Sequence, residues 1–324
     1  MQHDARIYVA GHTGLAGSAI LRALQRGGYS NLLLRRHAEL ELIDARAVAA
    51  FFEQERPEYV FLAAAKVGGI LANDSYPADF IRENLAVQLN VIHEAWRAGV
   101  KRLLFLGSSC IYPRVCPQPI KEEYLLSGPL EPTNRAYALA KIAGVEMCWS
   151  YNRQHSARFL AAMPTNLYGQ GDRYDLKNSH VLPALIRKIH EAKQSEAHQV
   201  MLWGSGRPRR EFLLSDDMAE ACVFLMRLPD AEFGTLVSPA QAPLINIGAG
   251  ADQSIAELAA LIAEVLGFRG DFIYDASKPD GTPRKLVDCS RLMALGWKPR
   301  MLLREGLKLA YADFTRNHAH TART

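Results

Sequence analysis

Ser108, Tyr137 and Lys141 are residue types that together can move a proton at a carbonyl oxygen. Ser108 follows the apolar run Leu103-Leu104-Phe105-Leu106, which places it at the C-terminal tip of a predicted strand. Tyr137 and Lys141 stand four apart in a predicted helix, so both project from one face. An ammonium beside a phenol favours the phenolate, and the pair is expected to draw the Tyr137 pKa down toward neutrality. A phenol tuned in this way gives or takes a proton at a carbonyl oxygen that Ser108 can also hydrogen-bond. Tyr and Lys are common on helices, so the pair acquires meaning only alongside a nucleotide-binding loop.

That loop lies at the front of the chain. A short apolar strand at residues 6–10 meets Gly11-His12-Thr13-Gly14-Leu15-Ala16-Gly17, and a helix follows to residue 26. Glycines three apart let backbone amides approach a pyrophosphate at a helix N-terminus, where the dipole favours anions. The spacing is GxxGxxG, not the GxGxxG fingerprint. The second strand, residues 31–34, ends in Arg35-Arg36-His37, where an NAD-preferring site places Asp or Glu. The cationic end reads either as a contact for the 2′-phosphate of NADP or as a solvated charge run.

A helix at residues 44–55 has Asp44 as its N-cap, and a strand at 58–63 leads into the glycine-containing loop 66–69. An amphipathic helix covers residues 80–98. The fourth strand carries Gly107-Ser108-Ser109-Cys110 at its tip, and the helix of Tyr137 runs to residue 153. The fifth strand, 158–163, ends in Pro164-Thr165-Asn166-Leu167. This regular alternation predicts an α/β fold with a doubly wound parallel Rossmann sheet. Ligands of such sheets sit at the C-terminal strand ends, where Gly11, Ser108, Cys110 and Thr165 fall.

After Tyr168 the pattern becomes irregular. Helices are predicted at 181–192, after Ser215 or Asp216 as cap, at 254–266 and at 302–314, with a frayed end at 318–324. Strands are predicted at 200–203, 211–214, 244–247 and 272–274. The reading is a dinucleotide domain of residues 1–168 and 211–248, with a smaller discontinuous α/β substrate-binding domain of residues 169–210 and 249–324. Trp203 is either core or a stacking surface for a base. Lys188, Arg210 and Lys285 are either solvated charges or contacts for a diphosphate.

The 324 residues are 49% hydrophobic and 22% charged, an ordinary globular profile. A formal charge of +4 does not point to nucleic acid and suits an anionic small molecule. The five cysteines are scattered with no CxxC pair, so reduced thiols and no metal site are expected. No signal peptide or membrane span is visible, which makes the cytoplasm the default.

The chain resembles the extended short-chain dehydrogenase/reductase family. Within it the segments AAAKVGGI, LGSSCIYP, EPTNRAYALAKIAG, MPTNLYG, NSHVLPAL, WGSGRPRREF and KPDGTPRK are similar to those of GDP-sugar 3,5-epimerase-4-reductases. The resemblance implies NADP(H) as cofactor, GDP-4-keto-6-deoxy-D-mannose as substrate and a homodimer. It implies a catalytic set of Tyr137, Lys141 and Ser108, with Cys110 and His180 as the proton carriers of epimerisation. Cofactor contacts would come from Gly11 to Gly17, Leu106 to Ser109, Lys141, Pro164 to Leu167 and His180. GDP-sugar contacts would come from Lys188, Trp203, Arg210 and Asp280, with Lys285 nearby. Thr13 and His37 stand where relatives carry Arg, and Lys188 keeps a charge but loses a bidentate fork. Two other readings remain: a sister enzyme acting on a 3,6-dideoxy GDP-sugar, and a non-catalytic dinucleotide sensor, which would be expected to lose the Tyr or the Lys.

Overall fold

The computed structural model describes residues 1–176, 179–278 and 280–317. In the first part of the chain, β1 (Ile7–Ala10), α1 (Leu15–Arg26), β2 (Leu32–Leu33), α2 (Ala45–Glu55), β3 (Tyr59–Leu62), α3 (Ile70–Ser75) and α4 (Pro77–Arg97) come in order. They are followed by β4 (Arg102–Leu106), α5 (Arg135–His155) and β5 (Phe159–Pro164). Next come β6 (Asn166–Tyr168), α6 (Val181–Gln194), β7 (Gln199–Trp203), β8 (Arg209–Leu214), α7 (Ser215–Arg227), α8 (Asp230–Leu236) and β9 (Leu244–Ile247). The chain continues through β10 (Asp252–Ser254), α9 (Ile255–Leu266), β11 (Asp271–Asp275), β12 (Arg284–Lys285), α10 (Ser290–Ala294) and α11 (Leu303–Asn317).

Six strands form a wholly parallel sheet in the order β2-β1-β3-β4-β5-β9. A sheet of this kind is buried on both faces, and its strands read as unbroken apolar runs. Alternate residues feed two cores. Ile7, Val9, Leu104 and Leu160 pack with α1 and α7 on one side. Tyr8, Leu62, Leu103 and Phe105 pack with α2, α4 and α5 on the other. Each large apolar side chain so buried contributes about 1.5–3 kcal/mol. Asp44 caps α2 through the amides of Arg46 and Ala47, and Ser254 with Glu257 forms a capping box on α9.

A second sheet lies beyond the first. β8 is its centre, pairing with β6 and β12 in parallel and with β10 antiparallel. β7 and β11 pair separately, and a third core joins them to α6, α9 and α11. Glu211 of β8 is fully buried and accepts from the amides of Gly250 and Val287, so one carboxylate ties three segments together.

The expected strand at 211–214 therefore forms, but it pairs outside the six-stranded sheet. The expected cap on α7 does not form: Leu214 is the N-cap, and Asp216 instead pairs with Arg22 of α1 at 2.7 Å. Helix α3 appears where only a loop is read from the sequence, because Gly68 and Gly69 mask its start. The expected fraying at 318–324 lies outside the described residues.

Candidate active site

The C-terminal ends of β1, β4 and β5 open on one side of the large sheet. At the first, Gly11 has φ +82°, and a Cβ there would lie 2.7 Å from the backbone nitrogen of Ala64. A Cβ on Gly17 would lie 2.0 Å from the Gly11 carbonyl oxygen. Both positions demand glycine, and the result is a close turn that opens α1 with no side-chain cap and no acid in the first turn. Free amides and the positive helix end make this a cradle for a dinucleotide pyrophosphate. Arg36 is exposed and lies close enough to His12 to lower its pKa, after burial as the main cause. Arg35 is already engaged with Glu55 and lies 5.5 Å over the Phe51 ring.

At the tip of β4 the chain turns through a short 3-10 helix, Ser109–Ile111. Ser108 Oγ accepts from the Cys110 amide at 3.3 Å, and the same side chain lies close enough to Tyr137 to lower its pKa against the effect of burial. Lys141 sits one turn on from Tyr137 in α5, is buried, and its Nζ donates to the Leu106 carbonyl at 2.8 Å.

The expected lowering of the Tyr137 pKa does not occur. Burial raises it well above its ordinary value, the neighbouring Cys110 charge adds to the rise, and only the Ser108 bond opposes it. The reason is that Lys141 is itself desolvated, down to about 7, with its Nζ 5.8 Å from the phenol ring centroid and turned to Leu106. Tyr137 is held as a protonated phenol, ready to donate.

Cys110 packs against the small cluster of Ala72, Phe80 and Tyr137. Asn134 Nδ2 donates to its sulfur at 3.3 Å, and Lys285 Nζ lies 3.8 Å from it. His180 is the N-cap of α6 and makes no capping bond. Desolvation first, and the Lys285 ammonium second, lower its pKa below the ordinary value, which favours the neutral imidazole. The structure thus brings Ser108, Cys110, Tyr137, Lys141 and Lys285 together, with His180 within the field of Lys285.

A second group lies on the other wall. Trp203 is 50% exposed at the end of β7, with Lys188 Nζ 5.0 Å and Lys278 Nζ 5.6 Å from its ring centroid. Asp280 fixes the next turn, accepting from the Ser205 amide at 2.7 Å and from its hydroxyl at 2.8 Å. Arg210 is half-buried, its pKa lowered by desolvation and raised in part by Cys110, Glu131 and Asp280, so it sits between the two groups. At the tip of β5, the side chains of Thr165 and Asn166 both donate to the Glu211 carbonyl, joining the large sheet to β8.

Three residues escape the sequence reading. Phe80 meets Tyr137 edge-on at 6.2 Å. Lys278 flanks Trp203. Asn134 touches Cys110 from only three residues before Tyr137, and its place at the start of a helix was the available signal.

A glycine turn at the first strand tip, with a phenol, a serine and a lysine gathered at the fourth, defines a nicotinamide-dependent enzyme of the Rossmann type. Residues 7–237 match the model of the NAD dependent epimerase/dehydratase family, and the chain belongs to that family. It is 55% identical over 317 residues to a putative GDP-L-fucose synthase 2 of Arabidopsis thaliana, covering 98% of this chain and 94% of that one. It is 52% identical over 312 residues to the GDP-L-fucose synthase of Escherichia coli K12, covering 96% and 97%. A GDP-mannoheptose C4 reductase from Campylobacter jejuni, solved with NADP bound, superposes with a TM-score of 0.88 at 42% identity, covering 97% of this chain and 99% of that one.

Proposed function

We propose that this chain converts GDP-4-keto-6-deoxy-D-mannose to GDP-L-fucose, by epimerisation at C3 and C5 followed by NADPH-dependent reduction at C4. The observation that carries the reading is the meeting of Cys110 with Tyr137 and Ser108 at one strand tip. A reductase alone needs the phenol and the hydroxyl; a thiol beside them adds a proton carrier.

A C4 ketone acidifies the hydrogens on C3 and C5, because the carbanion delocalises as an enolate. Tyr137 and Ser108 donate to the ketone oxygen and stabilise the charge that develops there. The raised pKa of Tyr137 keeps its proton in place through this stage. Cys110 and the neutral His180 flank the ring; one removes a proton and the other returns one on the opposite face. When bound, NADPH supplies the hydride that reduces C4. Tyr137 then protonates the alkoxide, and Lys141 holds the nicotinamide ribose. Each such proton-transfer group contributes roughly 10²–10⁴ in rate.

The glycine cradle from Gly11 to Gly17 and the β4 and β5 tips hold the dinucleotide, with Arg36 at its 2′-phosphate. Lys188, Arg210 and Lys285 bind the diphosphate, Trp203 stacks on guanine, and Asp280 holds the turn beside it. Residues 1–168 and 211–248 act as the dinucleotide unit, apart from β6 and β8, which belong to the second sheet and join it to the remainder that closes over the sugar. No described helix is long and apolar enough to cross a membrane. We place the enzyme in the cytoplasm as a homodimer paired through α4 and α5, where Leu89 and Leu139 are exposed. Purified protein given GDP-4-keto-6-deoxy-D-mannose should oxidise NADPH rapidly. Turnover confined to a 3,6-dideoxy analogue would reassign it to a sister enzyme.

A further inference from the structure

Asn134 is the N-cap residue of α5. Asn is favoured there because its side chain can accept from the first unpaired amides of the helix. It makes no such bond. Its Nδ2 donates instead to Cys110 Sγ at 3.3 Å. Its Oδ1 is buried and has no partner among the described residues. Lys285 Nζ reaches the same sulfur from β12 at 3.8 Å.

A thiol accepts hydrogen bonds weakly, whereas a thiolate is a strong, charged acceptor. Two donors converge on this one sulfur and fix where it lies. The two donors are also fixed to each other. The carboxylate of Glu131 takes the Thr282 hydroxyl at 3.3 Å and pairs with Arg114 at 3.3 Å, so the turn before α5 is tied to the loop before β12. A helix that forgoes its cap beside a reactive sulfur is the kind of local rule-breaking that marks a working site.

We propose that Asn134 is a positioning residue for epimerisation: its amide, with Lys285, holds the Cys110 sulfur in register, while its Oδ1 accepts from a sugar hydroxyl. This rests on the reading of Cys110 as a proton carrier. Among the described residues, the charged and titratable groups at this corner include Lys285, Tyr137 and Arg210, with Glu131 and Asp280 acting on Arg210 and His180 in the field of Lys285.

The test is peptide-resolved alkylation of Cys110 by iodoacetamide across a pH series, in the full-length protein with NADP⁺ bound. Asn134→Ala removes the donor that holds the sulfur and should change its alkylation rate by roughly three- to tenfold across the series. Asn134→Asp, which keeps the shape but loses the amide donor, should also change the rate and carries the test if the Ala variant does not fold. Solvent deuterium entry at C3 and C5 should fall in step, with NADPH affinity unchanged. A profile identical to wild type in both variants overturns the proposal. A changed profile with unchanged deuterium entry overturns the link to epimerisation. No deuterium entry in the wild-type protein would instead remove the epimerase reading itself.

Discussion

Lys141 Nζ donates to the Leu106 carbonyl at the very strand tip that carries Ser108, and it lies 4.7 Å from the centroid of the Phe105 ring. The helix of the acid is thereby bolted to the strand of the second donor. The arrangement buries an amine with one carbonyl and an aromatic face for company, and burial lowers its pKa to about 7.

That lowering predicts a trade of stability for function at Lys141. The amine is about 7 folded and near 10.5 unfolded, so the unfolded chain binds more protons between these values. The burden is full below about pH 7, declines as pH rises, and vanishes above the unfolded value. Lys141→Met should therefore stabilise the protein by about 2 kcal/mol near pH 6, a gain that shrinks toward pH 10. The same change should lower kcat by roughly 10²-fold or more. Denaturant titrations at several pH values, with a parallel NADPH assay, check both.

Tyr137→Phe keeps the edge-on contact with Phe80 and removes only the hydroxyl. Reduction should fall by roughly 10²–10⁴ in kcat, with NADPH affinity within a few-fold of wild type. Stability should hold or rise slightly, because a buried phenol is replaced by a ring of the same shape. Stopped-flow NADPH oxidation and fluorescence titration separate the two effects.

Much of this was legible in the chain. The glycine turn, the strand tips and the Tyr137–Lys141 pair depend on local spacing, which sequence preserves. What sequence concealed depends on distance and burial. The contact between Lys285 and Cys110 joins residues 175 apart. The strand at 211–214 has the apolar look of the large sheet, but its buried Glu211 needs the amides of Gly250 and Val287, and these hold it in the second sheet. Spacing puts Tyr137 and Lys141 on one face, yet it cannot tell that burial is the largest influence on each of them.

Trp203 stands half-exposed between two ammonium groups, so its removal opens no core cavity. Trp203→Ala should leave stability within about 0.5 kcal/mol. Loss of base stacking should weaken the GDP-sugar by about 1–3 kcal/mol, seen as a raised KM with kcat little changed. Steady-state kinetics and a thermal melt on the same preparation test the split.

Asp172, just after β6, and Asp313 of α11 form a buried acidic pair. Asp172 Oδ1 accepts from the Arg173 amide and its Oδ2 has no partner among the described residues, while Asp313 accepts from Gly171 and Asn317. Burial first, with repulsion from Asp313, raises Asp172 from 3.8 to about 7. Between those values the folded state holds the extra proton, so stability falls as pH rises through the window. Asp172→Asn should give no gain near pH 4 and about 2–4 kcal/mol above pH 7. Melting temperatures measured across that range decide it.

The central claim is that one cleft first inverts two carbons and then reduces a third. The most direct measurement is NMR of the product formed from GDP-4-keto-6-deoxy-D-mannose and NADPH in deuterated water. The account predicts GDP-L-fucose with deuterium at C3 and C5 and a protium at C4. A product reduced at C4 with its C3 and C5 hydrogens and configuration retained would contradict it.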